Sequence, residues 1–182
     1  FFWFANRLLE RPAIVFGSNV GRVFYQHAAD RRQAGQRVSG LFWRSTGVLL
    51  AVSAVPFGAV VAFGPPLFAI VFGAEWELAG HYARWIAVAN FAMLLAFPAR
   101  GATVLFDLQG IFAIVETVRA ITSGLAFFVV AANGGGALVA IGAAATAQSI
   151  LLLGFIAFVG MRMNRLDRRP AASTAPPERD RS

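Results

Sequence analysis

Arg7, Glu10, Arg11, Ser18, Gly21, Arg22 and Tyr25 fall on one arc of roughly 120° when the opening segment is wound as an α-helix. The other faces of that segment carry Phe, Leu, Ile and Val. A charge at the centre of a bilayer costs about 2.5–3.5 kcal/mol on insertion scales, so such a stripe turns toward a bundle interior or a water-filled cavity. Arg7, Arg11 and Arg22 outnumber the single carboxylate, Glu10. The excess positive charge suits an anionic ligand, and the planar guanidinium fork matches phosphate oxygens two at a time. Two readings stand side by side. Either Glu10 neutralises its neighbouring arginines, which snorkel outward from a boundary, or it orients them along an aqueous cavity.

The composition fixes the surroundings of that stripe. The chain has 182 residues, 58% of them hydrophobic and 14% charged, with a mean hydropathy of +0.64. A soluble domain carries about 25% charged residues, so this deficit points to an integral membrane protein. There is no cysteine, which excludes disulfides and thiolate metal sites. All 16 basic residues are arginine, and against nine acidic residues they leave a net charge of +7. They sit between apolar runs rather than on one basic face, so a nucleic-acid partner is not expected. The sequence has no initiator Met and opens on FFWFANR, which is mid-helix in character. It reads as the C-terminal part of a longer protein.

The hydropathy pattern predicts an all-α integral membrane fold with five spans, at about 1–27, 45–72, 81–106, 111–132 and 137–161. Residues 1–162 would form the transmembrane bundle and 163–182 a disordered cytoplasmic tail rich in Pro, Ala, Ser and charge. Pro12 is expected to kink the first span, and Pro56, Pro65 and Pro66 to bend or end the second. The connectors are a basic loop over 30–44, the acidic GAEWELAG, the turn DLQG and the breaker NGGG. Arg31, Arg32, Arg37 and Arg44 lie in the first connector, and Arg162, Arg165, Arg168 and Arg169 follow the last span. With five spans these basic segments share one side, so the positive-inside rule puts the C-terminus in the cytoplasm.

Outside the first segment, Glu116, Arg119 and Ser123 share a helical face and read as an internal lock near the cytoplasmic boundary. Arg100 is placed to snorkel to the cytoplasmic headgroups, and Arg84 with Glu77 and His81 reads as a solvated cluster at the outer boundary. Glu116, Arg119 and Arg100 form a possible secondary binding set. Gln148 and Ser149 are expected to hydrogen-bond between helices, and GAAATA (142–147) to offer a smooth packing face. No nucleophile elbow, paired helical histidines or phosphate-cradling glycine loop occurs. The expectation is a non-enzymatic protein without metal or other cofactor.

WFANRLLERPAIVFGSNVGRVFYQHAAD, followed by a basic loop, resembles the eighth helix of bacterial lipid-linked oligosaccharide flippases. These form the polysaccharide-export branch of the multidrug/oligosaccharidyl-lipid/polysaccharide exporter superfamily. FGPPLFAIVFGAEWELAGHYARWIAVANF is similar to the segment joining that family's ninth and tenth helices. The resemblance covers roughly residues 1–130. It implies that the spans are the larger part of the C-terminal lobe of a twelve-helix exporter fold, partnered by an N-terminal lobe of the same protein. The implied function is translocation of a polyprenyl-diphosphate-linked oligosaccharide across the bacterial inner membrane for polysaccharide biosynthesis, with membrane lipids around it. The resemblance gives Arg7 the role of a cavity arginine, while Arg11, Arg22 and Glu10 are assigned to diphosphate binding from the helical wheel. A lipid II flippase uses the same chemistry on another glycan. A multidrug extruder would want cavity carboxylates, and a membrane-embedded glycosyl polymerase or ligase would want a large loop between spans.

Overall fold

In the computed structural model the described residues are 2–167, and they are all-α, with no strand among them. Six helices follow in order: α1 Phe2–Gln33, α2 Ser39–Phe72, α3 Glu77–Leu95, α4 Phe97–Leu105, α5 Gln109–Ala132 and α6 Ala137–Asp167. A short 3₁₀ turn, Ala74–Trp76, joins α2 to α3. Four helical stretches are long and apolar enough to cross a membrane: Ser39–Phe72, Ala74–Leu105, Gln109–Ala132 and Ala137–Asp167. These mark a membrane protein. The first expected span, now α1, is not among them, because its stripe of charge lowers its hydropathy.

Several boundaries move from their expected places. The 30–44 loop shrinks to residues 34–38, because α1 carries its charged end as helix to Gln33 and α2 begins at Ser39. Gly35 ends α1 with φ +67, and Gln36 N–H reaches back to the Arg31 carbonyl at 2.8 Å, closing the last turn. Asp107 does the same after α4 with φ 54, an uncommon conformation for a residue with a Cβ. The expected third span is broken at Ala96, just before Pro98, into α3 and α4. Helix α1 continues through Pro12, whereas α2 bends at Phe63, where φ −118 and ψ 16 leave the helical region ahead of Pro65 and Pro66. Helix α6 runs on to Asp167, so Met163–Asp167 are helical rather than part of a tail. Arg168, Arg169 and the rest of the expected tail lie outside the described residues.

Helix α3 is the centre of the bundle and packs on α1, α2 and α6. Ala79, Ala83 and Ala87 recur every fourth residue and are fully buried, which lets neighbouring backbones come close. Backbone meets backbone where Gly64 of α2 faces Gly80 of α3, and a Cβ on Gly64 would lie 2.6 Å from the Gly80 carbonyl oxygen. In lipid, such packing holds helices together by dispersion, since moving apolar surface out of hydrocarbon gains little. A larger core below it gathers Phe24, Phe42, Leu152, Phe155, Val159 and Met163. Helix α5 has no buried residue and turns Ile114, Ile121, Leu125 and Phe128 outward, a surface suited to hydrocarbon.

The basic ends do gather together. Asp167, at the end of α6, accepts the backbone N–H groups of Val38 and Ser39 at the start of α2. The exposed Arg31, Arg32, Arg37, Arg44, Arg162 and Arg165 therefore belong to one end of the bundle.

Candidate functional site

The charged stripe of α1 is divided between two environments. Arg7, Arg11 and Arg22 are exposed, and among the described residues no carboxylate pairs with any of them. The Arg7 guanidinium lies over the Trp3 ring, 4.9 Å from its centroid. Glu10 turns the other way. Its Oε2 accepts the side-chain amide of Asn6 at 2.8 Å, and its carboxyl faces a cavity between α1, α3, α5 and α6. Among the described residues Glu10 makes no ion pair with the arginines of its own helix. The reason is angular: Asn6 and Glu10 stand on the flank beside buried Ala13 and Gly17, and Arg7 and Arg11 stand further round.

The cavity holds about 260 Å³ and brings together Asn6, Glu10, Asn90, Arg119 and Gln148. Asn90 is 7% exposed and its Nδ2 has no partner, as is true of the buried Nε of Arg119. Two unpaired donors in a small cavity mark a place for water or a polar ligand group. Asn6 and Asn90 were not singled out from the sequence. The only signal is a side-chain amide, beside charge on α1 for Asn6 and within an apolar run for Asn90, which by itself also fits ordinary helix–helix hydrogen bonding.

Below the cavity, one carboxylate serves two helices. Arg119 Nη1 donates to Glu116 Oε2 at 2.7 Å, and Arg100 Nη2 donates to Glu116 Oε1 at 3.2 Å. Arg119 Nη2 goes on to Gln148 Oε1 at 3.2 Å, and Gln148 Nε2 to Ser123 Oγ at 2.5 Å. The expected Glu116–Arg119 lock is present, and Gln148 bridges α5 and α6. Ser149 also bonds across helices, 3.4 Å from the Val88 carbonyl. Arg100 does not snorkel. It crosses from α4 to α5, held between the rings of Phe97 and Phe112 at 5.3 and 5.5 Å. Aromatic faces and a carboxylate together offer the guanidinium more than a distant headgroup does.

Arg84 is exposed, as expected of a boundary residue, but it also has a partner in α2. Its Nε donates to the Val61 carbonyl at 2.7 Å. Pro65, four residues further on, has no N–H to give that carbonyl, so Arg84 repairs the helix bond that proline removes. The smooth face of 142–147 packs as expected: the Trp85 indole lies against Gly142, and Ala144 and Ala145 are buried.

Two open clefts flank α1. One, between α1 and α2, holds about 500 Å³ and is lined by Leu8, Pro12, Phe16, Val52 and Phe57 among other apolar groups. The other, between α1 and α4, brings Arg22 and Arg100 together with Ser18 and Tyr25. Among the described residues no group of acidic or histidine side chains could hold a metal ion. Compared with protein-family models, curated proteins and solved structures, the chain matches none.

Proposed function

We propose that the chain is part of a membrane flippase that moves a polyprenyl-diphosphate-linked oligosaccharide outward across the bacterial inner membrane. The observation that carries this reading is a juxtaposition on α1. Arg7 and Arg11, exposed and without a carboxylate partner among the described residues, alternate along the chain with Leu8 and Pro12, which line the apolar cleft against α2. A cationic edge beside a hydrocarbon-lined cleft is the surface an amphipathic anion asks for. The diphosphate would sit on the guanidinium forks and the prenyl tail in the cleft or the bilayer.

In this reading α1 is a fifth span, tolerated in the membrane because its polar flank faces a water-filled cavity completed by a second lobe of the same fold. Rocking of one lobe against the other would change which side the cavity opens to. The arginine-rich end of the bundle would be cytoplasmic, in keeping with the positive-inside rule. The excess of guanidinium over carboxylate on the α1 face speaks against a binder of cationic drugs. A lipid II flippase would use the same face on a different glycan, and complementation of a peptidoglycan-flippase depletion separates the two.

The direct test is export. Replacing Arg7 by Ala in the whole protein, at normal membrane abundance, should abolish surface polysaccharide. Normal export by a well-expressed Arg7→Ala variant would overturn the assignment.

A further inference from the structure

We infer that the cleft between α1 and α4 is a separate anion site, which binds a phosphate or diphosphate group on Arg22 and Arg100. It uses neither Arg7 nor Arg11 and does not depend on the transport reading.

The two helices cross at glycines. A Cβ on Gly101 would lie 3.5 Å from the Gly21 carbonyl oxygen, and one on Gly21 would lie 3.5 Å from the Phe97 carbonyl oxygen. Each glycine has an arginine as its chain neighbour, Arg22 after Gly21 and Arg100 before Gly101. The close crossing therefore sets both guanidiniums on one cleft of about 520 Å³, together with Ser18, Tyr25 and Gln26. No carboxylate lines it. With Glu116 answering only Arg100, the cleft keeps a net positive charge that an anion can share.

Arg100 is prepared for such a ligand. The rings of Phe97 and Phe112 fix its plane, at 5.3 and 5.5 Å. Its bond to Glu116 is long, at 3.2 Å, and uses one N–H of Nη2. A guanidinium carries five N–H donors, and the bond to Glu116 uses one of the four on Nη1 and Nη2. Arg22 is exposed, and among the described residues no carboxylate pairs with it. Tyr25 and Gln26 add neutral donors that a phosphate can use at no charge cost. The ligand's phosphate could belong to a lipid headgroup or to a soluble ester, since both present the same oxygens to the same fork.

The test uses the full chain in nanodiscs of phosphatidylcholine. One arm counts phosphatidic acid retained by native mass spectrometry after doping it into the disc. The other titrates inorganic pyrophosphate by calorimetry. At least one probe should bind the unmodified chain. For that probe Arg22→Gln and Arg100→Gln should each weaken binding by about tenfold or more, as loss of a charge-assisted contact does. Arg44→Gln, at the exposed basic end, should bind as the unmodified chain does. Retention of phosphatidic acid alone assigns a lipid headgroup, pyrophosphate alone a soluble phosphate, and both the phosphate group itself. Arg100→Gln also removes a partner of Glu116, so Arg22→Gln, which breaks no hydrogen bond or ion pair among the described residues, decides the matter if the other variant fails to fold. Undiminished binding by Arg22→Gln, or binding of neither probe, overturns the site.

Discussion

Asp167 Oδ2, at the end of α6, accepts the backbone N–H of Ser39 at 2.8 Å, and so caps α2 from 128 positions away. Neither Val38 nor Ser39 caps the helix with its own side chain. A carboxylate at a helix N-terminus satisfies orphan N–H groups and complements the helix dipole. Asp167→Ala should therefore lower stability by about 1–2 kcal/mol, with Asp167→Asn intermediate. Thermal unfolding in detergent reads this directly. An Asp167→Ala protein that melts with the unmodified chain would show that the cap contributes nothing.

The Gly64–Gly80 approach admits no side chain. Because the obstructing atoms are backbone, Gly64→Val should separate α2 from α3 and cost about 3 kcal/mol or more. Gly58→Ala, on the same helix with nothing within 4 Å, should be neutral or slightly stabilising. Monodispersity after detergent extraction distinguishes the two, and equal behaviour would contradict the packing described.

Arg84 and Pro65 are coupled through the Val61 carbonyl. Arg84→Met leaves that carbonyl without its donor and should cost about 1–3 kcal/mol. Pro65→Ala restores a backbone N–H at the right spacing, so it should rescue part of the loss in the Arg84→Met background. A double-mutant cycle with no coupling energy would remove the role given to Arg84.

Glu116 holds Arg100 on α4 and Arg119 on α5. Glu116→Gln should be more destabilising than Gln148→Ala, because it strips two guanidiniums of their counter-charge rather than one of a neutral acceptor. With the pair partly exposed, the difference is expected near 1 kcal/mol. Chemical denaturation of the two variants decides the order.

What the sequence made legible was what local pattern controls. The apolar runs, the breaker at Gly134 and the gathering of the loop and C-terminal arginines at one end follow from composition and spacing. So does the Glu116–Arg119 pair, three residues apart on one helix. What stayed hidden depends on which helix stands opposite. A helical wheel puts Glu10 with Arg7 and Arg11, but packing of α1 on α3 turns Glu10 into the cavity with Asn90 and Arg119. Arg100 was read as free to reach headgroups because nothing local shows Glu116 within its reach. The role of Arg84 needed Val61, 23 positions earlier, to lie alongside it.

The central claim is that the Arg7–Arg11–Arg22 face of α1 meets water inside the membrane. Single cysteines at these positions, in the whole protein in its native membrane, can be labelled with a membrane-impermeant thiol reagent. Leu8→Cys and Phe16→Cys, on the apolar cleft, serve as controls. The account predicts that Arg7→Cys, Arg11→Cys and Arg22→Cys label, that the controls do not, and that a diphosphate lipid protects the first two. Equal labelling of both faces, or of neither, would contradict it and leave α1 as a boundary helix without a ligand cavity.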